Sequence, residues 1–435
     1  MTGIETRGER AANALGVPDF RRLWLNNVAF FLVANAQRFA FGWIVLDLLL
    51  RNERSQGLIV FALGVPTLFL VLHAGMWADR WNRKRLLIGT QLAAASVMAA
   101  TAVLIGLGRI GPGREAAESL LAGEGGVTAE AADNGFGWLL LLTALAGAAT
   151  ALGQPVRTAL VPVLVPREQL FSAIAVNAIA MTLSMILGPV LLKVVGDEFG
   201  FDGAFWFLTA LLLLGTVALA RLRVPDHAEP TERRPGLREV GDAVRHIIRD
   251  RRLRTLFGLL GLSSITVNPA VMVTLQAHVK EELGRSAGDA AIPFSLMGIG
   301  MAISSVYVMR RGDMPNKGAN FMRAMMFGST MTMSVGLSGS FELTLLFAFS
   351  MGLAGGFFIN MNQGLIQAHT PEPIMGRVMA VYTLMMNGLM PLGALVLGLV
   401  AGAIGTGPTI AIAGATSLSI VALTYLRDEE LGSLS

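Results

Sequence analysis

Long apolar runs dominate this sequence and decide what it can fold into. A helix needs about 20 mainly apolar residues to cross a membrane. Twelve runs approach or exceed that length, at 23–50, 57–78, 85–108, 137–161, 169–195, 203–222, 254–279, 288–310, 319–338, 342–366, 376–402 and 408–426. None alternates apolar and polar residues as a transmembrane β-strand does. We therefore predict an all-α membrane protein with twelve transmembrane helices.

Composition agrees with a lipid environment and excludes several function classes. Hydrophobic residues make up 53% and charged residues 15% of the 435 positions, whereas soluble domains carry about 25% charged residues. The chain has no cysteine, so disulfides, thiolate metal sites and cysteine nucleophiles are excluded. It has no phosphate-binding loop pattern and no cluster of metal-ligating residues. We predict a non-enzyme without metal or cofactor, and no nucleic-acid partner, because the basic residues sit in short loops.

The distribution of positive charge predicts the orientation in the membrane. Most of the 34 lysines and arginines lie in the N-terminal segment, in every second connection after it, and in the tail. The alternate connections hold few of them, namely Arg51, Arg54, Arg109, Arg114, Lys193, Lys280 and Arg285. Connections rich in lysine and arginine face the cytoplasm. We therefore expect both termini in the cytoplasm of a bacterial inner membrane.

The two halves of the chain have matching landmarks. Arg80 follows the second run as Arg310 follows the eighth, and Pro166 follows the fourth as Pro371 follows the tenth. A long connection at 109–136 accounts for the difference in spacing between the halves. Such duplications are typical of transporters. The predicted domains are an N-terminal segment (1–22), two pseudo-symmetric six-helix bundles (23–222 and 254–426), a linker with an amphipathic helix (223–253) and a tail (427–435).

A charged motif follows the second run. Residues 75–85 are GMWADRWNRKR, which resembles the loop motif of the major facilitator superfamily through Gly75, Asp79, Arg80, Arg83 and Lys84. The resemblance implies the fold of that superfamily. It also implies a cytoplasmic latch, because a carboxylate can bind the positive N-terminus of another helix or an arginine.

The latch partners implied by the resemblance are Gly376 and Arg377 at the start of the eleventh run, with Arg157 as a second partner. The alternative is that these charges only hold the membrane topology.

Other stretches resemble one branch of the superfamily. They are GQPVRTALVPVLVPREQL at 153–170 and NQGLIQAHTPEPIMGRV at 362–378. They are similar to the enterobactin-exporter-like branch, which implies export of siderophores, drugs or other metabolites. One departure weakens the assignment as a proton antiporter: Gly188-Pro189 lacks the later glycines of the fifth-span motif found in many antiporters.

Arg38 lies inside the first run, where an ionisable residue is costly and marks a functional site. Asn35 and Arg38 share a helical face, and no carboxylate lies near the middle of any run. One hypothesis is that an anionic substrate supplies the missing negative charge. The alternatives are that Arg38 bonds backbone carbonyls, reaches a wet cavity, or pairs with Asp47.

Further polar residues inside the runs are candidates for the substrate pathway. They are Asn177, Asn268, Asn360, Gln363 and Asn387. Some of them are expected to bond only between helices. For coupling to protons, Asp47 is the best candidate, with Glu281 as a possible second group.

The leading hypothesis is a monomeric, secondary-active exporter of small organic molecules that works by alternating access and couples to protons. One alternative is a proton-independent facilitator or a lipid flippase on the same fold. Another is a non-transporting scaffold or sensor, which the retained motif at 75–85 disfavours.

Overall fold

The computed structural model describes residues 14–80, 82–111, 135–166, 169–223, 237–311 and 316–427. Their regular secondary structure is helical. The α-helices are α1 (Pro18–Trp43), α2 (Glu53–Arg80), α3 (Arg83–Gly106), α4 (Phe136–Leu164), α5 (Leu170–Ala220), α6 (Leu237–Arg249), α7 (Arg251–Ile265), α8 (Val267–Pro269), α9 (Leu275–Glu281), α10 (Ala291–Arg311), α11 (Lys317–Gly336), α12 (Phe341–Ala368), α13 (Met375–Ile404) and α14 (Thr406–Arg427). The 3-10 helices are Ala14–Gly16, Ala287–Ala290 and Glu372–Ile374, and the π-helices are Ile44–Leu48 and Ala270–Thr274.

The helices account for the predicted membrane crossings. Nine described segments are long and apolar enough to cross a membrane. One of them lies within α5, which is interrupted by the left-handed Gly200 (φ 76°) and therefore makes two crossings. Helices α2 and α11 add 28 and 20 residues at two further predicted runs. The described residues thus form twelve segments at the positions of the twelve runs, which confirms the predicted all-α fold.

The seventh crossing is distorted near its middle. It is built from α7, α8, the π-helix Ala270–Thr274 and α9 in succession. Pro269 cannot donate a backbone hydrogen bond, so a regular α-helix is disturbed around it. The sequence Asn268-Pro269 predicts such a break, and the structure has the end of α7 at Ile265, a turn at Thr266 and the π-helix from Ala270.

The chain forms two compact units. The first contains Met1–Phe41 and Val65–Arg233, and the second contains Gly42–Gly64 and Arg234–Ser435. The predicted first bundle (23–222) includes residues 42–64, which cluster with the second unit in the structure. The bounds of the two bundles stay a prediction. We call Gly42–Gly64 the docked segment, because it packs with the helices of the second unit.

Glycines bring the docked segment close to α13 within the second unit. A Cβ added at Gly57 would lie 2.9 Å from the Ala394 carbonyl oxygen and 3.0 Å from the Gly398 Cα. Because both neighbours are backbone atoms, a side chain at Gly57 would force the helices apart. The α2–α13 contact therefore depends on glycine.

Helix α6 lies in the predicted linker and packs on the second unit. Ala243 and Ile247 are buried in a cluster with Leu253 and Leu256, while the next residue, Ile248, is exposed. One apolar face thus fixes α6 at the start of α7. The predicted connection at 109–136 falls largely outside the described residues.

Candidate functional site

Arg38 lies deep in the first crossing and is nevertheless accessible. It precedes Leu48, the last residue of the Pro18–Leu48 span, by ten positions, or about 15 Å at the helical rise. That is about half of a hydrocarbon core of roughly 30 Å. Its neighbours Gln37, Phe39 and Ala40 are buried, but Arg38 itself is exposed. The first unit therefore presents a guanidinium at membrane depth.

The Arg38 guanidinium has no hydrogen bond or ion pair with any residue that the structure describes. The Asp47 carboxylate binds Trp43, Lys280, Ser286 and the Ala287 amide within the second unit, and its pairing with Arg38 stays a prediction. Bonding to described backbone carbonyls is likewise not seen. An accessible cation without a fixed counter-ion can receive an anionic group.

The helical face around Arg38 is positioned by close contact with α5. A Cβ at Gly188 would lie 3.1 Å from the Ala36 amide nitrogen and 3.2 Å from the Leu32 carbonyl oxygen. Half-buried Asn35, on the same turn, donates to the Phe31 carbonyl at 2.9 Å. Gly188, the glycine of the fifth-span motif, thus allows α1 and α5 to come into close contact at Leu32 and Ala36, on the N-terminal side of Arg38.

Arg157 is the opposite kind of site in the same unit. Its side chain is only 2% exposed, seven residues before the end of α4. Its guanidinium donates to the amide oxygens of Asn26, Asn27 (3.1 Å) and Gln91 (2.5 Å). The Phe30 ring covers it, with the centroid 3.7 Å from Cζ. No carboxylate among the described residues binds it, so amide dipoles and a ring face stabilise this charge.

The amides around Arg157 tie four helices together. Asn26 Nδ2 donates to Gln91 Oε1 at 2.8 Å, and Gln91 Nε2 donates to the Leu212 carbonyl of α5. Asn27 Nδ2 donates to Asn177 Oδ1 at 2.9 Å. The predicted pathway residue Asn177 therefore belongs to an interhelical network on α1, α3, α4 and α5.

The predicted pathway residues of the second unit differ in their contacts. Asn360 is exposed and donates to Ser305 Oγ and the Gly356 carbonyl. Asn387 is exposed and donates only to the Thr383 carbonyl of its own helix. Asn268 and Gln363 are half-buried, without a hydrogen bond to any described residue. Amides that lack a fixed partner are the better candidates for contacting a substrate.

Asp47 lies in a dense polar cluster of the second unit. Its carboxylate is 3.0 Å from Lys280 Nζ and accepts from Ser286 Oγ at 2.8 Å, from the Ala287 amide at 3.0 Å and from Trp43 Nε1 at 2.9 Å. Lys280 also donates to the Leu46 carbonyl. Four donors thus fix the position of the Asp47 carboxylate, and its role in coupling stays a prediction.

The predicted latch falls mostly outside what the structure describes. Gly75, Asp79 and Arg80 lie in the last turns of α2, where the structure describes the helix but not the surroundings of its side chains, so this latch stays a prediction. Arg83 is half-buried in the first turn of α3. Gly376 and Arg377 lie in the first turn of α13, where a Cβ at Gly376 would meet nothing within 4 Å.

Sequence reasoning missed several polar residues that the structure brings together. Asn26 and Gln91 hold Arg157, and both are amides inside apolar runs. Gln56 of α2 donates to Gln276 of α9 in the second unit, and Glu53 of α2 is buried. Their signal was a polar residue inside or at the end of an apolar run, which carries no information about its partner.

Comparison with known proteins assigns the class. The family model of the Major Facilitator Superfamily matches residues 23–268 and 257–434. The chain therefore belongs to the Major Facilitator Superfamily and is a multi-pass membrane transporter by family, not an enzyme. No curated protein matches the sequence.

Solved structures share the fold at low identity. The nucleoside transporter NupG is 15% identical, with a TM-score of 0.68 over 94% of this chain and 98% of that one. A D-xylose–proton symporter is 13% identical, with a TM-score of 0.70 over 94% and 96%. The human organic anion transporter MFSD10 (TETRAN) is 17% identical, with a TM-score of 0.61 over 93% and 97%. At such identities the likeness concerns the fold alone.

Proposed function

We propose that this transporter is a secondary-active exporter of small organic anions, coupled to protons, in a bacterial inner membrane. The observation that carries the proposal is Arg38, accessible at membrane depth without a described partner. An unpaired cation in a membrane is costly unless water or a ligand compensates it. A substrate carboxylate or phenolate supplies that charge with hydrogen bonds.

The transporters that share the fold carry nucleosides, sugars and organic anions according to their names. The fold therefore leaves the substrate open, and the charge at Arg38 supports the choice of anions. The distribution of lysine and arginine supports a cytoplasmic position for both termini. The resemblance of 153–170 and 362–378 to the enterobactin-exporter-like branch supports export as the direction.

Uptake into inside-out vesicles tests the proposal with a panel of anionic, cationic and neutral compounds, with and without an imposed proton gradient. We expect gradient-stimulated uptake of anions. Arg38→Gln should lower it by roughly 10–100-fold, because hydrogen bonds to charged groups contribute about 1.5–3 kcal/mol.

Arg109→Gln is the matched control, because it removes an exposed arginine in the connection after α3 and should leave uptake unchanged. If Arg38→Gln kept anion uptake and abolished uptake of neutral compounds, the anion assignment would be wrong. An uptake rate that does not depend on the proton gradient would support a proton-independent facilitator instead of a proton-coupled exporter.

A further inference from the structure

An apolar groove of about 890 Å³ runs between α3 and α4 in the first unit. Its walls are formed chiefly by Gly89, Ala93, Leu145, Ala148 and Leu152. Small residues leave the space open, and a Cβ added at Gly89 would meet nothing within 4 Å. The two helices are nevertheless in close contact, because a Cβ at Gly153 would lie 3.1 Å from Thr90 Oγ1. The groove is therefore a feature of two packed helices.

The groove carries a charge at one end. Arg85 is the charged residue among the described residues that line it. The Arg85 side chain is exposed and has no hydrogen bond or ion pair with any residue that the structure describes. The adjacent Lys84 is directed elsewhere, to the Ala220 carbonyl of α5 at 2.8 Å. Since no carboxylate lines the described groove, its charge favours a ligand with an anionic group next to an apolar part.

The length of the groove matches the thickness of one membrane leaflet. On α3 it extends from Arg85 to Ser96, which is eleven positions or about 17 Å at the helical rise. Half of a hydrocarbon core of roughly 30 Å is about 15 Å. Arg85 lies in the first turn of α3 and Ser96 near the middle of that helix. A chain laid along the groove from Arg85 would therefore reach the middle of the membrane.

We propose that the groove between α3 and α4 binds an anionic phospholipid, with an acyl chain along the apolar walls and the headgroup phosphate on Arg85. An arginine donates two parallel hydrogen bonds to a phosphate. Lipid tails are as apolar as the groove, so the acyl chain gains only from packing, and the headgroup determines which lipid binds. The site is distinct from Arg38, and it depends neither on the identity of the substrate nor on proton coupling.

Native mass spectrometry of the purified full-length protein in detergent tests the headgroup site. The probes are phosphatidylglycerol and phosphatidylcholine with the same acyl chains. We expect the parent to bind phosphatidylglycerol more tightly. Arg85→Gln should lower the affinity for phosphatidylglycerol by roughly fivefold to tenfold, since one charged contact is lost, and should leave that for phosphatidylcholine unchanged. Arg249→Gln is the matched control, because it removes an exposed arginine at the end of α6.

Gly89→Leu tests the groove itself. Its side chain enters open space and fills the groove without displacing described atoms, so we expect weaker binding of both lipids in a folded protein. Gly137→Leu is the matched control. Gly137 is also exposed and has no neighbour within 4 Å of an added Cβ, but it does not line the groove. This control should bind both lipids like the parent.

Three results would overturn the proposal. Equal affinity of the parent for the two lipids would contradict an anionic ligand. A Gly89→Leu variant that binds lipid like Gly137→Leu would place the lipid outside the groove. Free glycerol phosphate should not compete at the concentration of the lipid, and competition would indicate a phosphate site in which the acyl chain has no part.

Discussion

The surroundings of Arg157 and of Arg38 are two solutions to the same problem, a guanidinium inside a membrane-spanning helix. Arg157 is buried, covered by Phe30 and bound by three amide oxygens. Arg38 is exposed and has no described partner. Both lie in the first unit. The two sites differ in whether the protein itself stabilises the charge.

The difference separates structural charge from ligand-binding charge. A buried cation that is fully bound adds order to the helices around it, and its removal leaves buried acceptors unsatisfied. A cation left without acceptors contributes nothing to packing and is available to a ligand. The prediction of a functional site from an intramembrane arginine therefore needs the partners as well as the depth.

Removal of the Arg157 charge should have the largest effect on stability. Arg157→Met leaves the Asn26 and Asn27 oxygens without their guanidinium donor, at a cost of about 2–4 kcal/mol for two buried acceptors. Arg38→Met should cost no stability. Thermal unfolding in detergent, followed by tryptophan fluorescence, measures both. Equal unfolding temperatures for Arg157→Met and Arg38→Met would contradict the distinction between a structural and a ligand-binding arginine.

Substitution by lysine sharpens the comparison by keeping the charge. A lysine at 157 cannot reach three acceptors on two helices with a planar fork, so Arg157→Lys should still cost about 1–2 kcal/mol. Arg38→Lys should leave unfolding unchanged and keep anion uptake within about tenfold, because a point charge still attracts an anion. If Arg38→Lys folded normally but lost anion uptake, binding would require the planar guanidinium group as well as its positive charge.

The fold was predictable because membrane helices are encoded locally. Each crossing needs a run of apolar residues of fixed length, and this requirement holds wherever the run lies in the chain. The predicted run 342–366 and helix α12 (Phe341–Ala368) differ by one or two residues at the ends. The ends extend further because helices continue into the polar interface.

The partners of polar residues were less predictable, because they depend on helix packing. Arg157 pairs with residues 66 and more positions away in the chain, and no periodicity encodes those distances. Asp47 was singled out for protons by its position in the sequence. The structure surrounds its carboxylate with donors from the second half of the chain, Ser286 and the Ala287 amide, which no local pattern encodes.

The smallest effect is expected at the edge of the Arg157 network. Asn27→Ala removes one acceptor for Arg157 and the donor to Asn177. Interhelical hydrogen bonds in membranes contribute about 0.6 kcal/mol on average, so we expect a loss of roughly 0.5–1 kcal/mol in thermal unfolding. Asn387→Ala is the control, because that amide is exposed and donates to the Thr383 carbonyl of its own helix. A double-mutant cycle with Asn177→Ala should show coupling between Asn27 and Asn177. If the two losses simply add, the network ends at Asn27, and Asn177 returns to the candidates for substrate contact.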